Sequence, residues 1–436
     1  MTSFGADQEW LAYRAKDILS GDIVLIGPVT SVGNYSIGPV FVYMWAFFSF
    51  LIGSAPIAGA YLSVFIGTVS LLFIYLFVKN FINKNIAFMT MFLVAISAPT
   101  IFWDQLPWTP SLFVIPQILM LAGAYIIHKN KLGYLLISLS LVIGFQAHVG
   151  ILLSFFSVLI YLFFVKPVKP DLKTIATSLA IILLGLLPNI LFDLTHNFVN
   201  FMRLFDVIKG ENLDYYTGFG KIVNVLSYNA VSILYPNNKT LIDGILMRVV
   251  YALIIVNCIR NLRIKEFKSV SLLLLITTIF PALVFYIQQG KFSEYYLMMT
   301  VPSSIFMVSL LLKDIAKFDK KNYGYYLKII VLFIIPVYLN FGLLRNRVVE
   351  FNLKAKQDVV SEIVKMSGTE NYGISLTTKY GDQFGFKYIL DYYGIKGDLP
   401  PKKGETRIFS IILPEGFDGM YGMKDFNGIG LRWSGI

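Results

Sequence analysis

The chain has 436 residues, of which 56% are hydrophobic and only 14% charged, with a net charge of +11 and a mean hydropathy of +0.67. Soluble domains carry roughly 25% charged and roughly 45–50% apolar residues, so the composition excludes an ordinary soluble globule and places most of the chain in lipid. The basic excess sits in short loops between apolar runs, which excludes a nucleic-acid surface, and a single cysteine, Cys258, excludes an intramolecular disulfide framework.

The polar residues after Met1 show no cleavable signal pattern. From Phe4 the spacing of Leu11, Ala15, Ile18 and Leu19 predicts an amphipathic helix lying on a membrane surface. Asp7 stands at its start beside Glu9. Two readings are open for Asp7: an N-terminal cap or a catalytic carboxylate. Two Gly-Pro pairs, Gly27-Pro28 and Gly38-Pro39, then punctuate a loop, a weak signal by itself. The apolar segment from Gly38 to Ser54 is predicted to lie in the outer interface or to re-enter. A crossing there would invert every later loop.

About ten spans follow, at 56–78, 84–103, 110–128, 132–146, 148–165, 172–193, 243–259, 267–287, 293–313 and 325–346. Runs such as Pro56 to Val78 and Ser269 to Gly290 carry no charge. A helix crossing hydrocarbon needs about 20 such residues, because every backbone polar group must be paired internally. One set of loops holds Lys79 and Lys84, Lys129 and Lys131, Lys166, Lys169 and Lys173, then Arg260, Arg263, Lys265 and Lys268, and finally Lys313, Lys317, Lys320 and Lys321. The short loops between them, at 104–109, 146–148 and 288–292, contain Lys291 alone. The positive-inside rule makes the first set cytoplasmic. Residues 1–55, the loops around Asp104 and His148, the loop 194–242 and the tail from 347 then face outward, from the plasma (inner) membrane. The tail 347–436 pairs a helical stretch, Glu350 to Met366, with strand-like runs at Ile374–Thr378 and Arg407–Leu413. It reads as a small soluble α/β domain following the transmembrane domain 56–346.

The polar residues of interest gather at the outer ends of the spans. Asp104 lies between Trp103 and Trp108 in Phe102-Trp103-Asp104-Gln105-Leu106-Pro107-Trp108, either a solvated acid in an aromatic belt or a second carboxylate facing the space around Asp7. Gln146 and His148 join two very apolar helices, where polar groups face either a cavity or a partner helix. His196, Arg203 and Lys209 follow the sixth span and suit either a phosphate or lipid headgroups. Lys291 and Tyr296 flank the last short outer loop. Walker-type, GxGxxG, CxxC and HExxH patterns are missing, which disfavours ATP-driven transport and zinc hydrolysis.

In this order the pieces resemble the GT-C superfamily of membrane glycosyltransferases, in particular bacterial relatives of protein O-mannosyltransferases and the lipid A aminoarabinose transferases. The matching positions are Asp7 with its surface helix, the Gly27-Pro28 and Gly38-Pro39 pairs, Trp108-Thr109-Pro110-Ser111, Gln146-Ala147-His148, Pro188 to His196, and Tyr295-Tyr296-Leu297 ahead of Pro302. They span residues 4–310. Members of that superfamily place a transmembrane helix ahead of the first outer loop, whereas Met1 here lies within that loop. The resemblance implies transfer of a sugar from a polyprenyl-phosphate donor to a lipid, glycan or protein acceptor on the outer face, inverting the anomeric centre. It makes Asp7 the general base, with Asp104 and Glu9 assisting it or orienting the acceptor. His196, Arg203 and Lys291 would meet the leaving phosphate, and Gln146, His148, Trp108 and Tyr296 would line the substrate. No metal ligand or cofactor is assigned, and a divalent metal stays an open option. The rival reading is a transporter or lipid flippase, disfavoured because the polar residues avoid the bilayer midplane.

Overall fold

A computed structural model of the chain describes residues 2–30, 34–209, 218–236, 241–288, 293–316, 328, 330–347, 349, 351–367, 372–379, 383–395, 397–405, 407–413 and 424–434. Two helices come before the main bundle: α1 (Ala6–Leu19) and α2 (Val40–Ile52). The bundle continues with α3 (Ala58–Phe81), α4 (Lys84–Ile96), α5 (Ala98–Asp104), a 3₁₀ turn (Thr109–Phe113) running into α6 (Val114–Ile126), α7 (Leu132–Ala147) and α8 (Ile151–Phe164). Next come α9 (Leu172–Gly185), α10 (Leu187–Thr195), α11 (Val199–Lys209), α12 (Phe219–Val231), α13 (Leu241–Asn261) and α14 (Lys268–Ile287). A second 3₁₀ segment (Glu294–Thr300) runs into α15 (Val301–Ala316), and α16 (Ile335–Arg345) ends the bundle.

Each of the ten predicted spans has a helix or a bent helix pair at its place. Among the described residues four are long and apolar enough to cross a bilayer, and the bent pairs α4–α5 (68°) and α9–α10 (56°) bring the number to six. The helices α7, α8 and α16 are shorter apolar segments of the same bundle. The 13 residues of α2 extend only about 20 Å at about 1.5 Å per residue, short of the roughly 30 Å of a hydrocarbon core. Phe41, Val42 and Trp45 on one side of α2 are buried, while Phe47, Phe50 and Leu51 on the other are exposed.

The basic loops share one end of the bundle. Val168 N–H donates to Ile127 O (2.9 Å) and Lys131 pairs with Asp171 (2.9 Å), which joins two of them. Arg260 and Lys313 both pair with Asp314, which joins two more. The loops of Asp104, His148 and Tyr295 meet at the opposite end.

Close helix packing relies on small residues, since lipid gives helices no hydrophobic reason to associate. A Cβ on Gly133 of α7 would stand 2.7 Å from Gly123 O of α6 and from Ile127 Cα. Gly133→Val is therefore expected to force the pair apart and cost about 1–3 kcal/mol, read as a lowered melting temperature in detergent. An unchanged melting temperature would show that the pair does not need this contact.

The tail is a small α/β unit. The helix α17 (Leu353–Ser367) precedes β1 (Tyr372–Thr378), and α18 (Phe386–Tyr392) crosses to β2 (Arg407–Leu413), paired parallel to β1 from Tyr372↔Arg407 to Thr378↔Leu413. The strands β3 (Lys424–Asp425) and β4 (Gly430–Ser434) complete the sheet in the order β1-β2-β4-β3, β4 running antiparallel to both neighbours. Val359, Ile363, Ile374, Phe386, Ile389, Phe409 and Ile411 are wholly buried and form its core.

Candidate active site

The first turn of α1 is built against the loop that follows α5. Gly5 is the N-cap residue, its N–H bonded to Gln8 Oε1 (2.9 Å), so Asp7 sits inside the first turn and does not cap it. The Gln8 amide is buried and donates to Pro107 O (3.0 Å), and Thr2 Oγ1 donates to Gln105 O (2.6 Å). These two bonds bring the turn carrying Asp7 against the loop that Asp104 opens. The Asp7 side chain is open on its own side of the helix, but the protein crowded around it displaces enough water to raise its pKa. The Asp104 carboxylate rests half-buried against the backbone of Gly67 on α3, where a Cβ would lie 2.5 Å from Oδ2.

Beside these acids stands a wall of rings. Trp103 stacks on Trp108 (5.2 Å, 9°), Trp108 meets Tyr295 edge-on (5.3 Å), and Tyr295 packs against Tyr296 (4.6 Å). His148 lies 5.9 Å from Phe113, Tyr295 and Tyr296. It ends α7 in an extended conformation, and its Nδ1 accepts the Gly150 N–H (3.0 Å), which leaves the ring proton on Nε2. A Cβ on Gly150 would stand 2.8 Å from His148 Nδ1, so glycine lets the ring lie close over this turn. The Trp108 indole N–H is buried with no acceptor among the described residues.

A second group forms around the Gly-Pro pairs, whose backbones touch. Gly27 N–H donates to Ile37 O (2.7 Å), and a Cβ on Gly27 would stand 2.4 Å from Gly38 O. Gln146 is wholly buried and works as a bracket. Its Nε2 donates to Gly185 O (2.9 Å) at the α9–α10 bend, and its Oε1 lies where a Gly38 Cβ would be. Asn200 exchanges two hydrogen bonds with the Ser36 backbone (2.7 and 2.9 Å), and Asp193 accepts from Asn200 N (2.9 Å). His196 stacks on Phe192 at the surface, and Arg203 reaches Asn34 O (3.4 Å). The structure thus brings Trp108, His148 and Tyr296 into one ring cluster, sets the turn that carries Asp7 against the loop after Asp104, and holds Gln146 and Arg203 against the Gly-Pro hairpin with His196 at the surface.

Glu9 faces a different neighbour from the one expected of an assistant to Asp7. Residues two apart on a helix point to different sides, and Glu9 Oε2 accepts the N–H groups of Gly385 (3.1 Å) and Tyr388 (3.2 Å) in the tail. Burial raises its pKa and these bonds hold the rise back. Lys291 lies outside the described residues. Arg347, which follows α16, is a residue that sequence reasoning missed, although arginines 345 and 347 break the expected positive-inside pattern. Its guanidinium lies 3.8 Å from the Phe102 ring and donates to Gln105 Oε1 (3.3 Å), next to Asp104. Among the described residues no three His, Cys, Asp or Glu side chains are grouped to hold a metal ion.

The chain thus combines a helical bundle of apolar segments, with an aromatic wall at one end, and a small α/β unit in its tail. Two solved structures share this arrangement over nearly the whole chain. ArnT from Cupriavidus metallidurans bound to undecaprenyl phosphate is similar with a TM-score of 0.60 and 11% identity, covering 99% of this chain and 94% of that one. The apo state of the same protein is similar at 0.59 with the same identity and coverage. The chain has the ArnT-like GT-C fold. No protein-family model and no curated protein matches the sequence.

Proposed function

We propose that this chain is a membrane glycosyltransferase that moves a sugar from a polyprenyl-phosphate carrier to an acceptor hydroxyl on the extracytoplasmic face of the plasma membrane. The observation that carries this reading is the fold shared over 99% of the chain with a protein bound to undecaprenyl phosphate. In this reading Asp7 takes the proton of the acceptor hydroxyl as its oxygen attacks the anomeric carbon. The bond from that carbon to the phosphate oxygen breaks, its electron pair leaves with the lipid phosphate, and the centre inverts. Asp104 orients the acceptor, which is a lipid, a glycan or a protein. The Trp108 N–H and the His148 Nε2–H donate to sugar hydroxyls, and Tyr296 packs on the sugar ring. The departing phosphate needs cations more than a proton donor, a task for Arg347 and for the earlier candidates Arg203, His196 and Lys291.

The test uses membranes containing the chain, incubated with a panel of radiolabelled polyprenyl-phosphate sugars with and without a chelator. Release of polyprenyl phosphate is the expected result, and the chelator arm decides the metal requirement. No release with any donor by demonstrably folded protein would overturn the reading in favour of a lipid transporter. Arg347→Gln is expected to raise the donor KM roughly 10-fold or more, since a hydrogen bond to a charged group is worth about 1.5–3 kcal/mol. Steady-state kinetics against donor concentration reads this directly, and an unchanged KM would remove Arg347 from the phosphate site.

A further inference from the structure

We infer that the C-terminal α/β unit is a working part of the active site, holding the turn that carries Asp7 through the positioning residues Lys356 and Glu9. The inference rests on the reading of Asp7 as the base. Lys356 on α17 is buried, with its Nζ donating to Phe4 O (3.0 Å) and Phe384 O (2.6 Å) and lying 4.8 Å from the Phe386 ring. Burying an ammonium is costly unless its protons are taken, and here one acceptor belongs to the segment just before α1. Gly385 makes that approach possible. Its φ is +93°, and a Cβ there would stand 2.2 Å from Phe4 O.

Glu9 completes the grip from the other side of Asp7. Its bonds to Gly385 and Tyr388 fasten α1 to the start of α18, and Lys356 adds electrostatic attraction to Glu9. Tyr13 donates to Asp391, Leu353 N–H donates to Thr2 O (2.9 Å), and Tyr388 OH donates to Ser54 O (2.9 Å) between α2 and α3. The bundle holds the same turn through Gln8 and Pro107. Asp7 therefore sits on a turn fixed at positions 4 and 9 by the tail and at position 8 by the loop after α5. Its own carboxylate hydrogen-bonds to none of the described residues, so it is aimed by its neighbours and left free to take a proton. Misplacing a catalytic group by about 1 Å can cost about 100-fold in rate, which is reason enough for such a clamp.

The experiment compares Lys356→Met, Glu9→Ala, Glu9→Gln and Asp7→Asn in the full chain. It reads donor KM, kcat and hydrogen exchange of the amides of residues 4–13. Lys356→Met and Glu9→Ala are expected to lower kcat about 10- to 100-fold, to leave donor KM where it was, and to speed exchange across the turn. Glu9→Gln, which keeps an acceptor oxygen, is expected to recover most of the kcat. Unchanged kcat and exchange in Lys356→Met and Glu9→Ala would overturn the clamp. Glu9→Gln as inactive as Glu9→Ala would also overturn it, because the carboxylate itself would then be needed. Full turnover by Asp7→Asn would remove Asp7 as base while accelerated exchange in the Lys356 variant still supports the clamp, so the two failures are distinguishable.

Discussion

Asp7→Asn is expected to lower kcat by about 10²- to 10⁴-fold, the usual contribution of a positioned general base, with little effect on donor binding. The asparagine keeps the size of the side chain and its place in the first turn of α1, so the fold and the Gln8–Pro107 bond should survive. The pH profile gives an independent check. A base works only when deprotonated, so activity is complete above its pKa and is lost as the pH falls through it. Desolvation holds the Asp7 carboxyl above its ordinary value of 3.8, which places the acid limb of kcat/KM above the pH at which a free aspartate would titrate. The residual activity of Asp7→Asn should lack that limb. Turnover unchanged by the substitution would pass the role of base to Asp104, the acid across the Gln8–Pro107 contact.

Asn340→Leu is expected to lower stability and turnover together. The bend between α4 and α5 interrupts a helix at Ser97 inside the bundle, and a broken helix in lipid is tolerated only where its freed backbone groups find partners. Asn340 on α16 is that partner. It is wholly buried, its Oδ1 accepts the Ala98 N–H at 2.6 Å, and its Nδ2 donates to Pro336 O at 2.8 Å. Leucine fills much the same volume but accepts nothing, so the Ala98 N–H is left unpaired at a cost of about 1–3 kcal/mol. The helix α5 also carries Trp103 and Asp104, so the loss should lower turnover together with the melting temperature in detergent. Normal melting and normal turnover would show that the bend is held by other groups, Ser97 Oγ to Ser232 O (3.4 Å) being the nearest.

The membrane bundle could be read residue by residue because its signal is local. Uncharged runs of the right length predict α3, α14 and the Glu294–Ala316 segment without any knowledge of neighbours. An apolar run from Gly38 to Ser54 marked the helix Val40–Ile52, and short β-rich runs marked β1 and β2. Candidate site residues stood out for a related reason. Polar side chains at the ends of apolar helices are costly enough to draw notice, and that drew attention to Gln146 and His148, whereas Asp7, Trp108 and Tyr296 stood out only through the family resemblance.

Tertiary structure decided what each of these residues touches. Glu9 reads like a second acid beside Asp7, yet its partners lie 376 and 379 residues further along the chain. Gln146 reads like a substrate ligand, yet its amide is committed to Gly185 and its carbonyl oxygen lies against Gly38. Lys356 looks like one more lysine on an amphipathic helix, and Asn340 like one polar residue in an apolar run. Hydropathy and periodicity report the preference of a residue for lipid, water or helix, which depends on the residue and its near neighbours. Hydrogen-bond partners hundreds of positions apart depend on how the helices pack, so the chain by itself determined where the apolar helices and the polar residues at their ends fall, and only the packed bundle with its tail decided which groups those polar residues bond.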